Sequence, residues 1–153
     1  MTNCAHVQVT GSFPVALPPD EAFPLFTARV EGSWVDGWDP QFPSPTADDT
    51  EPGTVFTTAH GPHGTTWMVV RREGRRLIAY SATSPGDRAS LITIALEPSG
   101  VGTAVTVTHD VTALAPTENA GVQALADGYA EYLDGWRDRI VRRGVPALLA
   151  GRS

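Results

Sequence analysis

The sequence predicts an α+β fold: a curved antiparallel six-strand sheet wrapped around a long C-terminal helix, with two short helices after the first strand. Three observations carry this expectation. Turn chemistry recurs at near-regular intervals, as GPHG at 61–64, REGR at 72–75, SPGD at 84–87 and EPSGVG at 97–102, and Gly, Pro and Asp mark tight reversals. The segments between those turns are rich in Thr, Val, Ile and aromatic residues, the composition of half-buried strands. Toward the C-terminus apolar residues recur at three- and four-residue spacing, the pattern of one apolar helical face.

Each element can be justified in chain order. Ala5 to Phe13 alternates and makes a first strand. LPPDEAFPLFTA, at 17–28, sets prolines and acids ahead of an apolar repeat, as at a helix start, and Pro24 must shorten or bend that helix. EGSWVDGWDPQFPSPTADDTEPG, at 31–53, is a long loop with a second short helix near Arg29 to Trp34; loops of this length tend to be functional lids or mobile. Five strands follow, over Thr54 to His60, Thr65 to Arg71, Arg76 to Thr83, Arg88 to Glu97 and Thr103 to Leu114, and short turns join them into an antiparallel meander.

In the last helix Thr117 is placed to cap, and Glu118 adds favourable charge at the N-terminus. Val122, Leu125, Tyr129, Tyr132, Leu133, Trp136 and Ile140 form one apolar face over about six turns. Arg137, Arg139, Arg142 and Arg143 complement the helix dipole at the other end, and the residues beyond read as a frayed tail. Only this helix is long enough to cover the apolar face of the sheet. Long strands in a small sheet twist, so the sheet curls around the helix and can leave a hollow between them.

Composition removes several function classes. The 153 residues suit one domain over 1–153, and no apolar run approaches the roughly 18 residues of a membrane span. Residues 1–10 are polar and alternating rather than signal-like, so the expected location is cytoplasmic. Net charge is −6, and the eleven basic residues, all Arg, are scattered rather than gathered on one stripe, which argues against nucleic acid. The absence of lysine excludes Schiff-base catalysis. The lone Cys4 reads as incidental, and there is no G-x-S-x-G elbow, phosphate-cradling loop or H-E-x-x-H.

The WVDGWDP loop, EPGTVF before the second strand, RRLIAYSAT in the fourth, GTAVTVTHDV in the sixth and the GYAEYLDGW helix occur in an order that resembles the START-like helix-grip superfamily, also called SRPBCC. GTAVTVTH with the GY…L helix is most similar to its heat-shock ATPase-activator-homologue and polyketide-cyclase branches. The resemblance implies a helix-grip fold and a deep cavity between sheet and helix for lipids, sterols, polyketides or other aromatic metabolites. It implies no cofactor and no single reaction, since fold constrains function loosely.

The sixth strand holds the most informative residue. Period two puts Val105, Val107, His109, Val111 and Ala113 on one face and Thr106, Thr108, Asp110 and Thr112 on the other. The apolar face must meet the helix, so His109 points inward, Asp110 points outward, and the two cannot form a dyad. An inward His is either an acid–base group or ligand donor, or a residue satisfied by a neighbouring strand.

His60 and His63 flank a turn and, without a third ligand, define no metal site. His60 shares a strand face with Phe56 and Thr58 and can reach the cavity mouth. Trp34, Trp38 and Phe42 either close over an apolar ligand or pin the loop as a local core. Trp67 and Tyr80 lie in adjacent strands, Val107 on the inward face of its strand, and Leu125, Tyr129, Tyr132 and Trp136 on the helix's apolar side; most of these are expected to be core, while a buried Tyr80 or Tyr129 hydroxyl needs a partner such as a ligand or a bound water.

Three functions stay open. The first is a binding protein whose ligand is hydrophobic, contacted by Trp34, Trp38, Phe42, Phe56, Trp67, Val107, Leu125 and Tyr129. The second is a cofactor-independent cyclase, aromatase or dehydratase in which His109 or His60 moves a proton and Tyr80 steadies an oxyanion. The third is a co-chaperone-like module, suggested by the branch resemblance alone. The expected partner is a hydrophobic small molecule, and a homodimer remains open.

Overall fold

Alternation in the sixth strand sets the frame of the whole sheet. In the computed structural model β6 (Gly102–Ala113) buries every odd-numbered side chain from Thr103 to Ala113 and exposes or half-exposes the even ones. The structure describes residues 3–151, so Met1, Thr2, Arg152 and Ser153 of the expected domain lie outside the described residues. β6 is flanked by β1 (His6–Val15) and β5 (Arg88–Ser99), and the sheet continues through β4 (Leu77–Ser84) and β3 (Thr65–Glu73) to β2 (Val55–Thr58). All pairings are antiparallel. On the outer face β1 and β6 join polar side chains across the seam: Ser12 to Thr106 at 3.0 Å, Thr10 to Thr108 at 3.1 Å, and His6 Nε2 to Asp110 at 3.0 Å.

The strand ends depart from expectation at two places that matter. β2 stops at Thr58 because the chain turns before the HGPHG stretch, which leaves His60 exposed beyond the strand. β3 runs on to Glu73 through a bulge between Val69 and Arg71, the extra residue being Val70.

After β1, α1 (Pro19–Ala22) and α2 (Ala28–Glu31) flank a 3₁₀ turn over Phe23–Phe26 that contains Pro24. The second helix thus starts earlier and ends sooner than the 29–34 stretch expected. Ala22, Phe23, Leu25, Phe26 and Ala28 are buried, so this segment plugs one end of the space inside the sheet. It joins Phe13, Ile94, Leu96, Val105 and Val107 in the main core.

The C-terminal helix is segmented. α3 (Asn119–Asp127) ends at Gly128, whose φ of −108° and ψ of 21° break the helical run, and α4 (Tyr129–Arg139) resumes it. Thr117 does not cap: Pro116–Glu118 form a 3₁₀ turn without a side-chain cap. Asn119 anchors the helix instead, accepting from Ala5 N at 2.7 Å and donating to the Asn3 carbonyl at 2.8 Å. The frayed tail is also corrected. A π turn (Ile140–Gly144) leads into α5 (Val145–Ala150), with its proline in the first turn where a missing N–H is tolerated.

Gly144 explains why this end is held. A Cβ there would lie 3.0 Å from Trp34 Cδ1 and 3.1 Å from Leu25 Cδ2, so only glycine lets the chain pack this closely on the loop. α4 lies against the β1 side of the concave face, and the concave face of β3–β6 is left facing a cavity. Among the described residues no helix is long and apolar enough to cross a membrane.

Candidate functional site

The hollow between sheet and helix is a cavity of about 590 Å³. Its walls come from β2 to β6, from the loop after α2 and from the helix, with Ile92, Ile94, Val111, Leu125, Trp34, Trp67 and Trp136 among the apolar lining residues. The volume falls within the range of sites for drug-sized ligands. Exposed lining residues Asp36, Gly37, Ala59 and His60 mark the mouth.

Loop 31–53 acts both as wall and as local core. Trp34 is buried, donates from Nε1 to the Leu25 carbonyl at 2.9 Å and meets Trp136 edge-on at 5.4 Å. Trp38 donates to the Ala28 carbonyl at 2.6 Å and meets Trp67 at 5.3 Å. Both line the cavity. Phe42 does not: it packs on Phe56 at 5.7 Å, and the Arg29 guanidinium lies over its ring at 4.5 Å. Phe56 is buried behind Trp67, stacked on it at 5.7 Å, and Val107 is buried in the core, so neither lines the cavity.

His109 lines the cavity and is 5% exposed. Its ring is boxed edge-on by Tyr129, Tyr132 and Trp136 at 5.5, 5.6 and 5.9 Å. Burial in this aromatic box lowers its pKa to about 4, so the imidazole is neutral at pH 7. Its Nδ1 lies 2.8 Å from the Tyr129 hydroxyl, which lies 3.0 Å from the Val107 carbonyl. The carbonyl can only accept, and the hydroxyl has one proton. Both contacts are therefore satisfied when Tyr129 donates to Val107 and His109 donates from Nδ1. That assignment leaves Nε2 with the free lone pair.

Tyr129 thus contributes indirectly. It does not line the main cavity, and burial raises its hydroxyl above the usual tyrosine value. Tyr80 lines the cavity, but its hydroxyl donates to the Phe26 carbonyl at 2.8 Å, so its single proton is already committed. Thr65 donates to the His60 carbonyl or shares a bond with Ser84 at 2.7 Å, and Trp67 donates to Thr58 at 3.1 Å. The hydroxyls at the β2–β3 end are thus occupied by one another and by backbone. His60 sits at the mouth, away from the buried histidine's wall.

Two lining residues carry chemistry that sequence reasoning did not single out. Glu31, the last residue of α2, is half-buried, and burial followed by the nearby Asp49 carboxylate pushes its carboxyl well above the usual range. It therefore holds a proton to higher pH than an ordinary Glu and can donate one. Its only sequence signal is an acid just ahead of the aromatic loop. Arg139, read above as a dipole complement, faces the cavity instead. The other charged lining groups are paired: Arg88 Nε lies 3.1 Å from Asp87, and Arg143 donates to Asp36 at 2.6 Å.

Residues 6–141 match the family described as polyketide cyclase / dehydrase and lipid transport. An uncharacterised protein from Rhizobium leguminosarum has a similar structure, with TM-score 0.67 and 17% identity over 91% of this chain and 97% of that one. CalU16 from Micromonospora echinospora is similar with TM-score 0.60 and 18% identity over 89% and 86% of the two chains. A norcoclaurine synthase point mutant from Thalictrum flavum, solved with a transition-state analogue, has TM-score 0.67 and 14% identity with both chains covered to 100%. At these identities the structural likeness establishes the fold alone. No curated protein matches the sequence.

Proposed function

The chain belongs to the polyketide cyclase / dehydrase and lipid transport family, and from that premise we propose that it binds a hydrophobic, aromatic or polyketide-like small molecule in the cavity between sheet and C-terminal helix. The observation that carries this reading is the cavity itself, about 590 Å³, with apolar and aromatic side chains over much of its wall and polar groups interspersed that can orient a ligand. Apolar surface on a ligand gains roughly 25 cal/mol per Å² on leaving water, so such walls suffice to retain it. A solid core would have favoured the co-chaperone alternative.

A second reading, proton-transfer chemistry on the bound molecule, is favoured by one pair of lining residues. Glu31 is pushed toward its protonated form and His109 toward its neutral form, and opposed shifts of this kind separate an acid from a base. In that reading Glu31 donates a proton and His109 Nε2 accepts one. His60, at the exposed mouth, and Tyr80, with its proton committed, contribute less than their sequence positions suggested.

Native mass spectrometry of the purified protein tests binding, with a co-purified small molecule expected. All four tryptophans, Trp34, Trp38, Trp67 and Trp136, line the cavity. A neutral dye such as Nile red should therefore quench the protein's own fluorescence, and Ala82→Trp, which fills cavity space, should weaken that binding. No bound molecule together with no Nile red signal overturns the reading.

A further inference from the structure

We infer that the ligand of this cavity carries a carboxylate, and that the guanidinium of Arg139 receives it; the inference rests on the cavity's being the binding site. Arg139 is the last residue of α4 and lines the cavity. Its Nε is out of contact with solvent and has no hydrogen-bond partner, and no carboxylate among the described residues forms an ion pair with it. The cavity's other charges are already matched. Asp36 senses Arg139 from a distance, but its oxygen is held by Arg143 at 2.6 Å, and Arg88 is held by Asp87 at 3.1 Å. Glu31 also lines the cavity but forms no ion pair with Arg139 among the described residues, and burial pushes its carboxyl toward the protonated form.

Arg139 as a whole is half-buried, but its Nε N–H has lost water and found no acceptor, and an unsatisfied donor on a charged group carries a cost. A ligand carboxylate removes that cost with charge-assisted hydrogen bonds, and the planar fork of Arg suits two parallel bonds to its oxygens. Gly135 lies one turn back, and a Cβ there would stand 3.4 Å from Arg139 Nη1, which places the guanidinium along α4 beside that glycine. The ligand implied is amphipathic, with an apolar aromatic body against Trp34, Trp136 and Ile92 and an acid group toward the end of α4.

Calorimetric titration of the full chain with 2-naphthoate and with its neutral counterpart 2-naphthamide tests this. The wild type should prefer the acid by about tenfold, the scale of one charge-assisted hydrogen bond. Arg139→Gln should abolish that preference, and Arg139→Lys should restore part of it. Equal affinity of the wild type for both probes overturns the proposal, as does a preference that survives in Arg139→Gln. The wild-type comparison stands even where that variant does not fold. If neither probe binds the wild type, the cavity reading fails and takes this inference with it, whereas amide binding without acid preference sinks the inference alone.

Discussion

Replacing His109 with Gln should flatten the acid limb of the protein's stability. Burial lowers the folded pKa from 6.5 to about 4, so between those values the unfolded chain binds a proton that the folded chain does not. Stability then falls with falling pH by about 1.4 kcal/mol per pH unit. Across the window from 6.5 to about 4 the wild type loses about 3 kcal/mol through this one group. The contribution is complete above 6.5, erodes as pH drops below that value and is gone once the folded imidazole protonates near 4. Glu31 acts in the opposite sense. Its raised pKa means the folded carboxyl keeps a proton the unfolded one has released, so its contribution grows as pH falls.

The total curve therefore mixes two opposed slopes, and the wild type alone does not separate them. The difference between wild type and His109→Gln does, because Glu31 is common to both. Urea unfolding followed by tryptophan fluorescence, at half-unit steps from about pH 7.5 to about 4.5, gives that difference directly. It should be constant above 6.5 and slope below it. Parallel curves through the window would show that the imidazole is not buried in its neutral form, and would refute both the aromatic box and the base assigned to Nε2.

Two further outcomes follow from close contacts. Gly144→Ala drives a Cβ to 3.0 Å from Trp34 and 3.1 Å from Leu25, both buried; overpacking of this kind costs about 1–3 kcal/mol, visible as a lowered Tm, and an unchanged Tm would show that the loop and the π turn do not pack as described. Tyr80→Phe removes the buried bond to the Phe26 carbonyl and should cost about 1 kcal/mol of stability while leaving Nile red affinity unaltered; lost affinity at full stability would instead return Tyr80 to the ligand.

The sheet was readable because its signals are local. Glycine, proline and aspartate mark each reversal, and strict alternation from Thr103 to Ala113 put His109 inside and Asp110 outside. The cavity wall was readable in part. Trp34, Trp38, Trp67, Tyr80, Leu125 and His109 reach its surface, whereas Phe42, Phe56 and Val107 lie behind it. Period two separates inside from outside but not lining from core, since that depends on where the helix lies across the sheet. Arg139 looked like a dipole partner because helix periodicity alone does not show which side of α4 leaves contact with β1. Glu31 gave little signal, as its perturbed acidity arises from burial by residues remote in sequence. The π turn and α5 were missed because their order depends on Gly144 fitting against Trp34 and Leu25.

The seam between β1 and β6 has a kinetic consequence. Its hydrogen-bonded side chains lie 94 to 106 residues apart in the chain, whereas β2 through β6 pair through successive hairpins. Closing a long loop costs entropy before any contact offsets it, and topology of this kind slows folding. The meander can therefore assemble early, while the seam and the helix resting on β1 arrive late. A molecule held between meander and helix favours the completed structure over any state with that late seam open, so occupancy should slow unfolding of the protein as well as raise its equilibrium stability.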